Sequence, residues 1–165
     1  MIRLSIVSVG MVEDTGSVII VLRADESARL LVMEIGLLEG RSIAMEAEGI
    51  KAPRPLTHDL MHQFIQGLGA RVADVRIRDF QEQTFFATVV LERQDGTLTE
   101  FDARPSDAIA LALRAGAPIY ASEEVMAVAA IDEDDVEEES ASPDESEEEE
   151  EEEEEEDDGE DPVVH

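Results

Sequence analysis

Two short stretches concentrate the side chains that could do chemistry. Arg54-Pro55-Leu56-Thr57-His58-Asp59-Leu60 is a loop running into a helix, and Asp102-Ala103-Arg104-Pro105-Ser106-Asp107-Ala108 has the same make-up. Each sets an Arg beside a Pro, a hydroxyl and an acid where a helix should begin. Helix N-termini present free amides and partial positive charge, so such places attract phosphate. The bland reading is that Thr57, Asp59, Ser106 and Asp107 only cap two helices and complement their dipoles. Caps do not explain Arg54 and Arg104, although either Arg can bridge to a carboxylate such as Asp102 or Glu39. His58 and His62 are four residues apart and share a helix face. Gln63 and Gln66 mark the neighbouring face as solvated, so His62 reads as a surface residue rather than a metal ligand. No Gly-rich phosphate loop, Gly-x-Ser-x-Gly elbow or zinc-protease helix occurs in the chain.

The elements that must hold these stretches follow from periodicity. Residues 2–9 begin with Ile2, Leu4 and Ile6 alternating against Arg3 and Ser5, a half-buried strand. Turn residues separate it from apolar strands at Val18–Leu22 and Leu30–Ile35, as in a meander. A helix over Leu38–Glu48 ends at Gly49. Thr57 is the expected N-cap of a second helix, in which Leu60, Met61, Phe64, Ile65 and Leu68 recur at helical spacing before Gly69. Strands at Val72–Ile77, Phe85–Leu91 and Leu98–Ala103 follow, with Asp95-Gly96 as a hairpin signal between the last two. Pro105 opens a helix to Arg114 that Gly116 and Pro118 stop. Ser122 is the expected N-cap of a last helix, Glu123–Ala130.

Three strands and two helices thus occur twice. Ser42–Ala47 matches Ala108–Leu113 in pattern at an offset of 66 residues, and Thr57, Leu60 and Met61 match Ser122, Val125 and Met126 at an offset of 65. The expected fold is α+β: two β3α2 halves about a pseudo-twofold axis, with a curved mixed or antiparallel sheet and four helices outside it.

Charge divides the chain. Residues 1–131 hold 19 acidic and 12 basic residues, a net of −7, whereas residues 132–165 hold 23 acidic residues and no Lys or Arg. Such a block repels itself and has little apolar surface to bury, so residues 132–165 are read as a disordered polyacidic tail after a domain of residues 1–131. Eleven of the 12 basic residues are Arg. That bias fits either a halophilic source, where high negative charge keeps proteins soluble, or a GC-rich genome. The absence of cysteine rules out disulfides, thiolate metal sites and a cysteine nucleophile, and fits a reducing cytoplasm. No apolar run reaches the ~18 residues of a membrane span, and the N-terminus is too short and alternating for a signal peptide. A cytoplasmic protein without membrane contact is expected.

The strings RPLTHDL and DARPSDAIALALR, with the pattern between them, resemble the bifunctional nuclease domain family over residues 1 to 131. The resemblance implies a nuclease acting on DNA and RNA. Relatives are similar around Glu39, Arg54, Pro55, Thr57, His58, Asp59, Asp102, Arg104, Pro105, Ser106 and Asp107. Before the acid helix they carry an aromatic and a Pro, where this chain has Met33-Glu34-Ile35-Gly36-Leu37-Leu38-Glu39-Gly40, and Gly40 is expected to loosen the first turn. Phosphodiester hydrolysis needs an activated water, relief of charge at phosphorus, and a stabilised leaving oxygen. For that activity His58, Asp59 and Asp107 are the catalytic candidates. Arg54, Arg104, Thr57 and Ser106 would bind substrate, since guanidinium grips phosphate in bidentate fashion. Asp59, Asp102, Asp107 and Glu39 are the carboxylates available to hold Mg²⁺ or Mn²⁺.

Net charge opposes nucleic-acid binding, because affinity for the phosphate backbone comes largely from Lys and Arg. A divalent ion could invert the local charge, or strong salt could screen the surface to a Debye length of ~3 Å at 1 M. The competing reading is a non-catalytic oligomeric binding or regulatory module, a dimer or trimer, whose Arg/Asp/His cluster is structural. The tail, itself a polyanion, either competes with nucleic acid for an Arg-lined site at high effective concentration or serves only solubility.

Overall fold

A computed structural model describes residues 1–12 and 14–135. Most of the expected polyacidic tail, residues 136–165, lies outside the described residues. Strands β1 (Ile2–Met11), β2 (Val18–Ala24) and β3 (Arg29–Ile35) form an antiparallel meander, followed by helices α1 (Leu37–Ala47) and α2 (Thr57–Gly67). A second meander, β4 (Ala70–Gln81), β5 (Thr84–Arg93) and β6 (Leu98–Ala103), leads into α3 (Pro105–Ala115). Then come β7 (Ile119–Ala121), α4 (Glu123–Ala129) and β8 (Ala130–Asp132). The expected α+β class and repeated order of three strands then helices are both present. The strands form one open mixed sheet in the order β6-β5-β4-β7-β1-β2-β3-β8.

What joins the halves is β7, which periodicity did not reveal. Ile119 pairs with Leu4 of β1 on one side and Val75 of β4 on the other, the latter in parallel. It lies between α3 and α4, and the corresponding stretch between α1 and α2 forms no strand. The second unexpected strand, β8, pairs Asp132 with Arg29, and residues 133–135 are helical, so regular structure runs past the expected boundary at residue 131 and adds a short helix to the four expected. Bulges between Ile6 and Ser8, Val72 and Asp74, and Ile77 and Asp79 bend the long strands.

The core explains where the site lies. Ile20, Leu22, Leu31, Val75, Ile77 and Ala87 line the inner sheet face and are fully buried. Helix α3 packs on β4 and β5 and against α1 and α2, with Ala108 to Ala112 all buried. It is therefore the inner helix of the helical layer, and its alanines let the neighbouring helices approach. Gly40 does not loosen α1 as expected. A Cβ there would lie 2.5 Å from Val18 Cβ, so glycine is what lets the helix rest on β2. Gly49, Gly69 and Gly116 follow α1, α2 and α3 in the left-handed conformation, as anticipated. Among the described residues no helix is long and apolar enough to cross a membrane.

Candidate active site

The packing of α3 between α1 and α2 brings three helices' polar residues to one place. Their side chains form one continuous chain of hydrogen bonds. Arg114, in the last turn of α3, donates through Nε to Asp59 and through Nη2 to Ser42 Oγ at 3.0 Å. Ser42 Oγ lies 3.1 Å from His58 Nδ1, and His58 Nε2 lies 3.0 Å from Asp107 Oδ1. Arg104 Nε donates to Asp107 Oδ2 at 2.7 Å, and its Nη2 donates to Glu39 Oε1 at 2.7 Å and Asp107 Oδ1 at 3.2 Å. Since Arg114 fills an acceptor position on Ser42, the hydroxyl's own proton is available to Nδ1. A neutral His58 then carries its proton on Nε2 and gives it to Asp107.

Local sequence sets each position. Gly36 precedes α1 without a side chain, and a Cβ there would meet Glu39 Oε2 at 2.5 Å, so the glycine lets Glu39 fold back over the helix start. Thr57 is not the N-cap of α2. Leu56 holds that position and Thr57 is the first helical residue. Leucine offers no acceptor, and capping falls to Asp59, whose Oδ2 accepts from the Leu56 amide at 2.7 Å. Ser106 does not cap α3 either. The N-cap is Arg104, with no side-chain bond to the helix amides, and Asp107 is spent on Arg104 and His58. By contrast Ser122 caps α4 as expected, accepting from the Val125 amide at 3.0 Å. Capping thus accounts for Asp59 but not for Thr57, Ser106 or Asp107.

Charges inside the chain are matched. Burial works against ionisation of Asp59, but the Leu56 amide and the Arg114 guanidinium outweigh it and hold its carboxyl below the ordinary range. Asp107 is likewise opposed by burial, yet Arg104 and then His58 bring its pKa down. Glu39 is lowered first by a bond from its own backbone amide and then by Arg104. The Arg104 pKa is raised by Asp107 and by Glu39. All three acids are ionised at neutral pH.

The site therefore unites His58, Asp107, Arg104 and Glu39 directly, with Asp59 linked through Arg114 and Ser42. Four candidates stay outside it. Thr57 is exposed at the start of α2, Ser106 is buried in the first turn of α3, and neither side chain joins the network among the described residues. Arg54 is exposed in the loop before α2 and takes no part in the chain. Asp102 pairs with Thr88 on β5, one residue from Ala103, which pairs with the core residue Ala87. Strand alternation sends Asp102 to the sheet face away from the helices. The four carboxylates expected to hold a divalent ion do not converge. Only Glu39 and Asp107 meet, with the Arg104 guanidinium between them, and among the described residues no three His, Asp or Glu side chains are placed to hold a metal. An ion there would have to take the guanidinium's place, so the residues as arranged do not fit it.

Sequence reasoning missed Ser42 and Arg114. The signal for Arg114 was an arginine on a helix otherwise built from Ala, Ile and Leu. Such a charge is buried only with partners. Nothing local distinguished Ser42.

Two uncharacterized proteins of Mycobacterium tuberculosis, one from strain CDC 1551 / Oshkosh and one from strain ATCC 25618 / H37Rv, are each 43% identical over 113 residues. The match spans 68% of this chain and 66% of theirs, just under two thirds of their length. The family model of the bifunctional nuclease domain matches residues 20–134, which include Glu39, Ser42, His58, Asp59, Arg104, Asp107 and Arg114. The chain belongs to the bifunctional nuclease domain family.

Proposed function

We propose that this protein is a cytoplasmic nuclease that hydrolyses phosphodiester bonds of DNA and RNA at the open end of the chain, where Arg104, Asp107 and Glu39 meet. One observation carries the reading. The Arg104 side chain is 66% exposed yet held in place by two carboxylates at the start of α3. Neither of its Nη1 protons is engaged among the described residues, so they can grip a phosphate oxygen while the Asp107 and Glu39 contacts fix the fork. The uncapped amides of the first α3 turn add positive potential beside it.

In this reading a water oxygen attacks phosphorus and its proton passes to Asp107, which is ionised at neutral pH. The bond from phosphorus to the departing sugar oxygen breaks, and that oxygen takes a proton from solvent. His58 does not reach substrate. Both its ring nitrogens are engaged and it is buried, so its part is to orient Asp107. That replaces the catalytic part expected of it from sequence.

A second reading has support from the same bonds. Ser42, His58 and Arg114 tie α1, α2 and α3 together in a way that a purely structural network would. Leu60, Met61, Phe64 and Leu68 are exposed on α2, as an oligomeric module would present them. Cleavage of labelled single-stranded DNA and RNA by highly purified protein, with Mg²⁺, Mn²⁺ or EDTA, separates the two. The nuclease reading expects kcat/KM to fall about 100-fold in Arg104→Ala, the scale seen when a positioned charge-stabilising donor is lost. Unchanged cleavage by that variant would mean a contaminant or another site. No cleavage by the wild-type chain in any condition would leave the structural module.

A further inference from the structure

Beside Arg104 is a cavity of about 330 Å³ that the proposed hydrolysis does not use. It lies between the end of β3, the turn joining β4 to β5, and the first turn of α3. Its walls are divided by chemistry. Arg104 and Ser106 stand at one side, Ile35 and Phe85 supply apolar surface, and Gln83 adds a polar group. Phe85 is half-buried, with its ring tilted against Phe80 at a centroid distance of 4.4 Å, so its position is fixed by packing.

The turn that brings Gln83 there is strained. Glu82 and Gln83 form a two-residue hairpin connection with φ values of 47° and 61°, both left-handed. A turn of that shape is ordinarily made by Asn-Gly or Asp-Gly, which adopt such angles at little cost. Elsewhere among the described residues positive φ belongs only to glycines. A strained backbone in a side chain that lines a cavity next to an anchored Arg is the kind of outlier that marks a binding position.

We infer that this cavity is a nucleobase pocket, which takes the base of the nucleotide whose phosphate Arg104 holds and reads its edge with Gln83. The inference rests on the nuclease reading above and deepens it by naming what is recognised. The volume suits a small, flat, partly apolar group. An aromatic wall offers any base a face to lie on. Gln83 sets a preference. Its amide both donates and accepts, a pairing that suits the amino group and ring nitrogen along one edge of adenine. Phosphate held at one wall and the base at another also give the site a polarity along the strand.

The test uses the full chain and five probes: the 5′-monophosphates of adenosine, guanosine, cytidine and uridine, and ribose 5-phosphate, titrated by calorimetry. Adenosine monophosphate is expected to bind at least about 10-fold more tightly than ribose 5-phosphate, equivalent to about 1.4 kcal/mol, and to be the tightest of the four. Gln83→Gly removes the reading group and also relieves the turn. It is expected to raise the melting temperature while bringing all four nucleotides toward ribose 5-phosphate, a combination that a merely structural Gln83 would not give. Five equal affinities, all lost in Arg104→Ala, would leave the phosphate site standing and overturn the base pocket. Base selectivity that survives Gln83→Gly would also overturn it, since the base would then lie elsewhere. No binding of any probe would sink the pocket and the nuclease reading together.

Discussion

The two ends of the hydrogen-bonded chain are made of the same residue types in different surroundings. At the inner end the Arg114 side chain is 4% exposed and joins Asp59 to Ser42, with its remaining donor on the Ala110 carbonyl. At the outer end Arg104, 66% exposed, joins Asp107 to Glu39. Burial turns the first pair into part of the fold. A guanidinium and a carboxylate taken out of water must keep each other, because removing one leaves the other uncompensated. Water makes the second pair exchangeable, since exposed ion pairs contribute little to stability and can trade a partner for substrate. His58 is where the two regimes meet, facing Ser42 inward and Asp107 outward.

The largest expected effect tests that contrast on stability. Arg114→Met removes the bonds to Asp59, Ser42 and the Ala110 carbonyl at once and should cost about 1–3 kcal/mol in urea unfolding. Arg104→Ala should leave the unfolding midpoint nearly unchanged while removing the proposed activity. If both variants unfolded at the wild-type midpoint, the inner end would not be holding the helices.

An acid titration sharpens the same point. The folded-state pKa values of Asp59 and Asp107 are depressed below the ordinary 3.8, so their stabilisation is fully present above about pH 4. It drains away as pH falls through the depressed values. Wild-type stability should therefore drop between pH 4 and strongly acid conditions, and Asp59→Asn should flatten that slope by removing one titrating group. A slope identical in the variant would mean that Asp59 titrates alike in both states.

The smallest expected effect lies away from the chain. Thr88 on β5 is buried, and its hydroxyl has no partner among the described residues. Thr88→Val keeps the shape and removes the stranded polar group, so unfolding free energy should rise by about 1 kcal/mol. A loss of similar size would show that the hydroxyl does have a partner, such as an ordered water.

Much was legible without coordinates because its causes are local. Alternation marked the six long strands, helical spacing and left-handed glycines bounded α1 to α3, and Ser122 announced α4 through a bond made three residues away. The residues of the outer cluster were likewise marked by type and place. His58, Arg104 and Asp107 belonged to strings whose composition exceeded what caps require, and Glu39 was open to sequence reasoning as a carboxylate that an Arg could bridge. Other features had no local cause. β7 and β8 are three residues each and exist only because two meanders, and then an open sheet edge, offer them hydrogen bonds. Asp102 and Ala103 are neighbours in sequence on opposite sheet faces, and which face is inner depends on where α3 packs. Ser42 and Arg114 lie 72 residues apart. Their bond is created by the close approach of α1 and α3, which no pattern within either helix encodes. The sequence by itself determined which groups could carry charge and protons. Only the tertiary structure decided which of them are sealed from water and hold the fold, and which stay open to solvent.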